Sequence, residues 1–97
     1  MDYYNIDEFN TKIKEINQQI TEKDSLRGKA DLYQYRKEWC AKVLQQPNLS
    51  QDYEDLVFSK LFESERKISQ INAEIEKEEE EERAKRSAKL RAEYLEQ

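Results

Sequence analysis

The side chains able to do chemistry are few: one cysteine, no histidine, one glycine and an almost unbroken run of glutamates. A cysteine nucleophile needs a base within hydrogen-bond reach. Without histidine, Cys40 lacks the usual base near neutral pH, and the chain lacks the usual nitrogen ligand for a metal. The same absence excludes the Glu-x-x-His pattern by which helical bundles hold a di-iron site. A lone thiol provides no pair for zinc, and with Gly28 the only glycine neither a dinucleotide fingerprint nor a Walker loop can be written. Glu78–Glu82 attracts cations only loosely, because consecutive helical residues point in different directions and cannot close one coordination shell. Cys40, on an apolar helix face with Tyr33 and Leu44, is expected to pack rather than react. The expectation is a protein that is not an enzyme and holds neither cofactor nor metal.

Contact chemistry is better supplied. Leu32, Tyr35 and Trp39 form a helical stripe of the residue types that dominate protein interfaces, and they are the candidate protein-binding residues. The competing reading makes the same stripe the ordinary contact between two helices of the fold. Arg83, Lys85, Arg86, Lys89 and Arg91 are candidate electrostatic contacts. A basic helical arm can enter a DNA groove, but here five cations follow a segment, residues 76–82, with six Glu and one Lys. That acidic neighbour repels phosphate, and no Asn or Gln among the cations reads bases. The net charge of −5 points the same way, so nucleic acid is a weak third reading. No apolar run is long enough to span a bilayer, and no broad apolar face with Trp or Phe suits a membrane surface. Met1-Asp2-Tyr3-Tyr4-Asn5 lacks the basic start of a leader, and a lone Cys fits a reducing, cytoplasmic setting.

The elements that must position these residues are helices. Charged residues make up 40% of the 97, the hydrophobic set only 36%, and there is one Gly and one Pro, which leaves little turn chemistry for a sheet. An all-α fold of one small domain follows. Asn5 with Glu8 three residues on reads as a helix start. Behind it Ile6, Phe9, Ile13, Ile16 and Ile20 form a narrow, coiled-coil-like seam. The rhythm stops at Thr21–Ser25, where Asp24 or Ser25 is a candidate cap. Leu26–Gln45 is apolar on two sides, with Leu26, Ala30, Tyr33, Cys40 and Leu44 on one and Leu32, Tyr35 and Trp39 on the other. Such a helix wants two neighbours. Pro47 makes the clearest break, and Ser50 caps the next helix. There Val57, Leu61, Ser64, Ile68, Ile71 and Ile75 share a stripe, while Phe58 and Phe62 lie off it and make its first turns two-sided.

A two-helix hairpin folded at Pro47 would set Ile13, Ile16 and Ile20 against Glu78–Glu82, which gains little apolar burial and desolvates charge. The first helix must therefore fold back or pair with another chain. The expected architecture is a three-helix bundle or helical hairpin, residues 1–75 with helices near 5–22, 25–46 and 51–75, followed by a charged helical arm, 76–97. One kinked helix from 6 to 45 is the alternative for the first half. In the arm, Glu79–Arg83, Glu81–Lys85 and Glu82–Arg86 are favourable i,i+4 pairs, each worth about 0.2–0.5 kcal/mol. The expected function is a protein-interaction module, an adaptor or an inhibitor that occupies a partner's surface. The alternative is a self-assembling coiled-coil protein, a homodimer through Ile6, Phe9, Ile13, Ile16, Ile20, Ile68, Ile71 and Ile75.

Overall fold

Side-chain caps decide where the helices begin. In the computed structural model, which describes residues 5–95, Asn5 Oδ1 accepts the Glu8 amide at 2.9 Å and opens α1, Ile6–Glu22. Ser25 Oγ accepts the Gly28 amide at 3.0 Å and opens α2, Leu26–Leu44. Ser50 Oγ accepts the Tyr53 amide at 3.2 Å and opens α3, Gln51–Leu95. Each satisfies one of the amide donors that a helix N-terminus leaves without an intrahelical partner. Residues 1–4 of the expected bundle, with the leader reading placed on them, and residues 96–97 of the expected arm lie outside the described part.

The first half is two helices, not one kinked helix. Lys23 is extended, with φ −79° and ψ 128°, and Ser25 is extended too. The last turn of α1 contains no cation of its own, but Lys29 reaches across from α2 and donates to the Ile20 carbonyl at 2.8 Å. That places a positive charge at the negative end of the α1 dipole. At the second turn Asn48 takes the left-handed conformation, φ 63°, which Asn tolerates better than most residues, and it follows Pro47.

The molecule is all-α: a helical bundle with a long, charged C-terminal helix. α1 folds back along α2, and α2 packs most extensively on α3, so α2 has the two neighbours that its two apolar sides require. Phe9 and Ile13 of α1, Trp39, Cys40 and Val43 of α2, and Tyr53 and Val57 of α3 form one cluster, flanked by Leu44, Leu49, Leu56 and Leu61. Phe9 is its centre, stacked on Trp39 at 4.9 Å between ring centroids and edge-on to Tyr53 at 5.7 Å. Burying each large apolar side chain contributes about 1.5–3 kcal/mol. Ile16, Ile20 and Ile71 extend the buried seam towards the other end of the bundle.

α3 then leaves the bundle. Its 45 residues span ~68 Å at helical rise, close to the 72 Å long axis of a molecule only 21 and 18 Å across. The radius of gyration, 20.1 Å, compares with about 13 Å for a globular chain of this length. Every described residue from Glu76 onward is exposed.

Candidate functional site

Arg36 is the least expected side chain of the interior, 1% exposed at the middle of α2. Its Nε donates to Ser64 Oγ of α3 at 2.7 Å, and one terminal nitrogen donates to Asn17 Oδ1 of α1 at 2.6 Å. The other terminal nitrogen faces Glu63 Oε1 at 3.3 Å without hydrogen-bond alignment, so charge rather than geometry carries that contact. The guanidinium carbon also lies 5.0 Å from the Tyr33 ring centroid. The Ser64 hydroxyl is held in turn, donating to the Lys60 carbonyl at 2.8 Å. One side chain thus ties all three helices and fixes their register. Burial alone would raise the Glu63 carboxyl, but Arg36, with Lys60 and Arg66, more than offsets this and holds it below its ordinary range.

The aromatic stripe divides. Trp39 is a core residue, 9% exposed and stacked on Phe9; Leu32 is half-buried. Tyr35 is exposed, with Lys12 Nζ of α1 5.5 Å from its ring centroid. Trp39 makes the contact between α1 and α2, and only Tyr35 of the three presents its ring to solvent.

Phe58 and Phe62 form an exposed aromatic pair, on α3. Their rings stack at 5.8 Å, and Phe62 is 59% exposed. Their displacement from the α3 stripe is visible in the sequence, but the second neighbour it implies is not supplied by the described residues, because α1 lies against α2. Leu61 beside them is half-buried against the core cluster, and Glu65, three residues beyond Phe62 on the same face, pairs with Lys37 of α2 at 3.7 Å.

No family model, curated protein or solved structure matches the chain.

The basic candidates Arg83, Lys85, Arg86, Lys89 and Arg91 are all exposed on the arm. Of the three intrahelical pairs read from the sequence, Glu82–Arg86 closes, at 3.9 Å. Glu79 turns instead to Arg27 at the start of α2, the last tie between arm and bundle among the described residues. The isoleucine seam is largely covered within the chain: Phe9, Ile13, Ile16, Ile20 and Ile71 are buried, Ile68 and Ile75 half-buried, and Ile6 is 37% exposed. Among the described residues no acidic, cysteine or histidine group converges as metal ligands would, and no helix is long and apolar enough to cross a membrane.

Cys40 is fully buried between α2 and α3, and burial pushes its thiol from 9.0 up to about 11, against the weaker opposing pull of Arg36 and Lys60. The unfolded thiol therefore ionises first as pH rises. Stability is intact below about pH 9 and falls as pH climbs towards 11. Burial of the Tyr53 phenol, opposed by Gln46, acts in the same direction above pH 10. A Cys40→Ala variant is expected to show a shallower alkaline loss in urea titrations between pH 8 and 10.5. In the native protein at pH 8 the thiol is expected to resist an aromatic disulfide reagent and to react fully once urea is added. Fast native labelling would mean the α2–α3 contact opens freely.

Proposed function

We propose that the protein is a non-catalytic interaction module, an adaptor or inhibitor that acts by covering part of a partner protein's surface. The observation that carries this is the Phe58–Phe62 stack, two exposed aromatic rings on a helix whose core side is already closed. Aromatic side chains anchor protein interfaces, and a pair held on a rigid helix loses little freedom when it docks. The partner it suits offers an apolar pocket with mixed charge at its rim, opposite the Lys37–Glu65 pair. The self-assembling reading through the isoleucine seam has less support, since most of that seam is already buried within one chain.

Replacing both rings, Phe58→Ser with Phe62→Ser, separates this role from a structural one. The change at Phe62, 59% exposed, is expected to move stability by about 0.5 kcal/mol, and that at Phe58, 37% exposed, by about 1 kcal/mol, well short of a core substitution. Proteins captured from source-cell lysate by the wild type but absent from the double variant, quantified by mass spectrometry, then identify the partner. A variant that melts like a core substitution, or that captures the same set undiminished, removes the basis for the reading.

A further inference from the structure

The arm carries a charge pattern that its own helix uses only in part. Residues 76–82 sum to −5 and residues 83–91 to +5. Glu82–Arg86 closes within the arm and Glu79 binds Arg27, which leaves Arg83, Lys85, Lys89 and Arg91 without an ion-pair partner among the described residues.

We propose that the arm is a self-complementary docking helix, and that two copies of the chain pair antiparallel about a two-fold axis between Glu82 and Arg83. That axis sets Arg83 level with Glu82 of the second copy, Arg86 with Glu79 and Lys89 with Glu76 on the facing sides, while Lys85 with Glu80 and Arg91 with Glu74 match in level but lie on the outward sides. Lys77, the one cation in the acidic half, falls opposite Ala88, so no level sets like charges together. Leu90, 47% exposed, falls level with half-buried Ile75. Glu79, Glu82, Arg83 and Arg86 lie along one face of the arm and border one shallow depression, so Glu82–Arg83 and Glu79–Arg86 of the two copies can meet at once. A parallel copy would set each glutamate against its own counterpart.

The bundle extends the fit. Where the arm leaves it, an open notch is bordered by Asp24, Leu26, Arg27, Ile75, Glu78 and Glu82, an acidic rim with an apolar floor. The antiparallel partner brings the basic end of its arm, followed by exposed Tyr94 and Leu95, towards this notch. A second copy is favoured over a foreign chain because the facing side of one arm, Glu76, Glu79, Glu82, Arg83, Arg86 and Lys89, is complementary to its own reverse. The pairing lies apart from Phe58 and Phe62 and does not depend on them. Solvent-exposed ion pairs are individually weak and are screened by salt, so the dimer is weak and salt-sensitive.

The test is solution mass of the full chain by sedimentation, at about 50 and about 500 mM NaCl. The expected result is a concentration-dependent dimer at low salt whose dissociation constant rises by at least about tenfold at high salt. A variant with the basic half reversed (Arg83, Lys85, Arg86, Lys89 and Arg91 each to Glu) is expected to be monomeric. So is one with Glu76 and Glu78–Glu82 changed to Lys, and the two mixed are expected to form a one-to-one complex. Trp39 fluorescence checks that each variant keeps its bundle. A Leu95→Cys chain is expected not to form a tip-to-tip disulfide, because antiparallel arms hold their tips apart. A wild type that stays monomeric at low salt, a reversed variant that still dimerises alone, or rapid tip-to-tip oxidation would each overturn the proposal.

Discussion

Replacing Glu63 with alanine is expected to destabilise the bundle by about 3 kcal/mol, while replacing Arg36 with methionine is expected to cost less than about 1 kcal/mol. The asymmetry follows from which group is left behind. Arg36 is 1% exposed and cannot return to water, so without Glu63 its charge is buried with neutral partners only. Lys60, 3.7 Å from Glu63, then adds repulsion. The figure sits at the low end of the range for broken buried pairs because Glu63 is one-third exposed and some water can replace it. Methionine removes the charge and its desolvation together and fills much of the same volume. Asn17 is exposed and can hydrate, and Ser64 keeps its bond to the Lys60 carbonyl. Urea unfolding followed by Trp39 emission reads both variants. If Arg36→Met proved the more damaging, the guanidinium would be a net source of stability and the desolvation argument would fail. Glu65→Ala, which breaks the exposed pair with Lys37, is the control and is expected to cost under about 0.5 kcal/mol.

The same pair shapes the acid limb. The Glu63 carboxyl is held below 4.5 in the folded chain, so its contribution is fully present above about pH 4.5 and is lost as pH falls through the lowered value. Glu63→Gln removes that titration and is expected to flatten the loss of stability below pH 4.5, while lowering stability at neutral pH.

The helix starts at Asn5 and Ser50 are readable because each rests on a capping side chain, while the start of α2 is narrowed only to Asp24 or Ser25, and the glutamate run shows that α1 must fold back or pair with another chain without choosing between them. Arg36 was not readable in the same way. A helical wheel assigns a cation to solvent, and only the presence of a neighbour on both sides of α2 forces this one inward. The signals were indirect: its place between the two apolar sides of α2, and Ser64 set within an otherwise apolar stripe. Phe58 and Phe62 leave that stripe in the sequence, but whether another helix covers them depends on where α1 lies. The sequence pattern does not encode that side, and Arg36, through Asn17, helps to fix it. Tyr35 and Trp39 share one stripe yet have opposite fates, because α1 reaches Trp39 with an aromatic ring and Tyr35 with the ammonium of Lys12.

That difference carries the largest expected effect. Trp39→Ala is expected to cost about 3–5 kcal/mol, the range for deleting a buried aromatic side chain. The substitution also leaves the inner face of Phe9 without its stacking partner and opens the side of the cluster where α1 meets α2. In a domain this small each kcal/mol moves the melting temperature by roughly 4–8 °C, so the variant is expected to melt at least about 12 °C lower. Total stability for such a bundle is of order 5 kcal/mol, so much of the variant is unfolded at physiological temperature. Tyr35→Ala, by contrast, removes a half-exposed ring and one exposed cation–π contact, worth about 0.5–1 kcal/mol. Thermal melts by circular dichroism compare the two without relying on the chain's single tryptophan. A Trp39→Ala chain that melted with the wild type would place the ring outside the core and return the Leu32–Tyr35–Trp39 stripe to the partner. A gap of at least about 10 °C between the variants would instead assign Trp39 to the fold and leave Phe58 and Phe62 as the aromatic surface to test for binding.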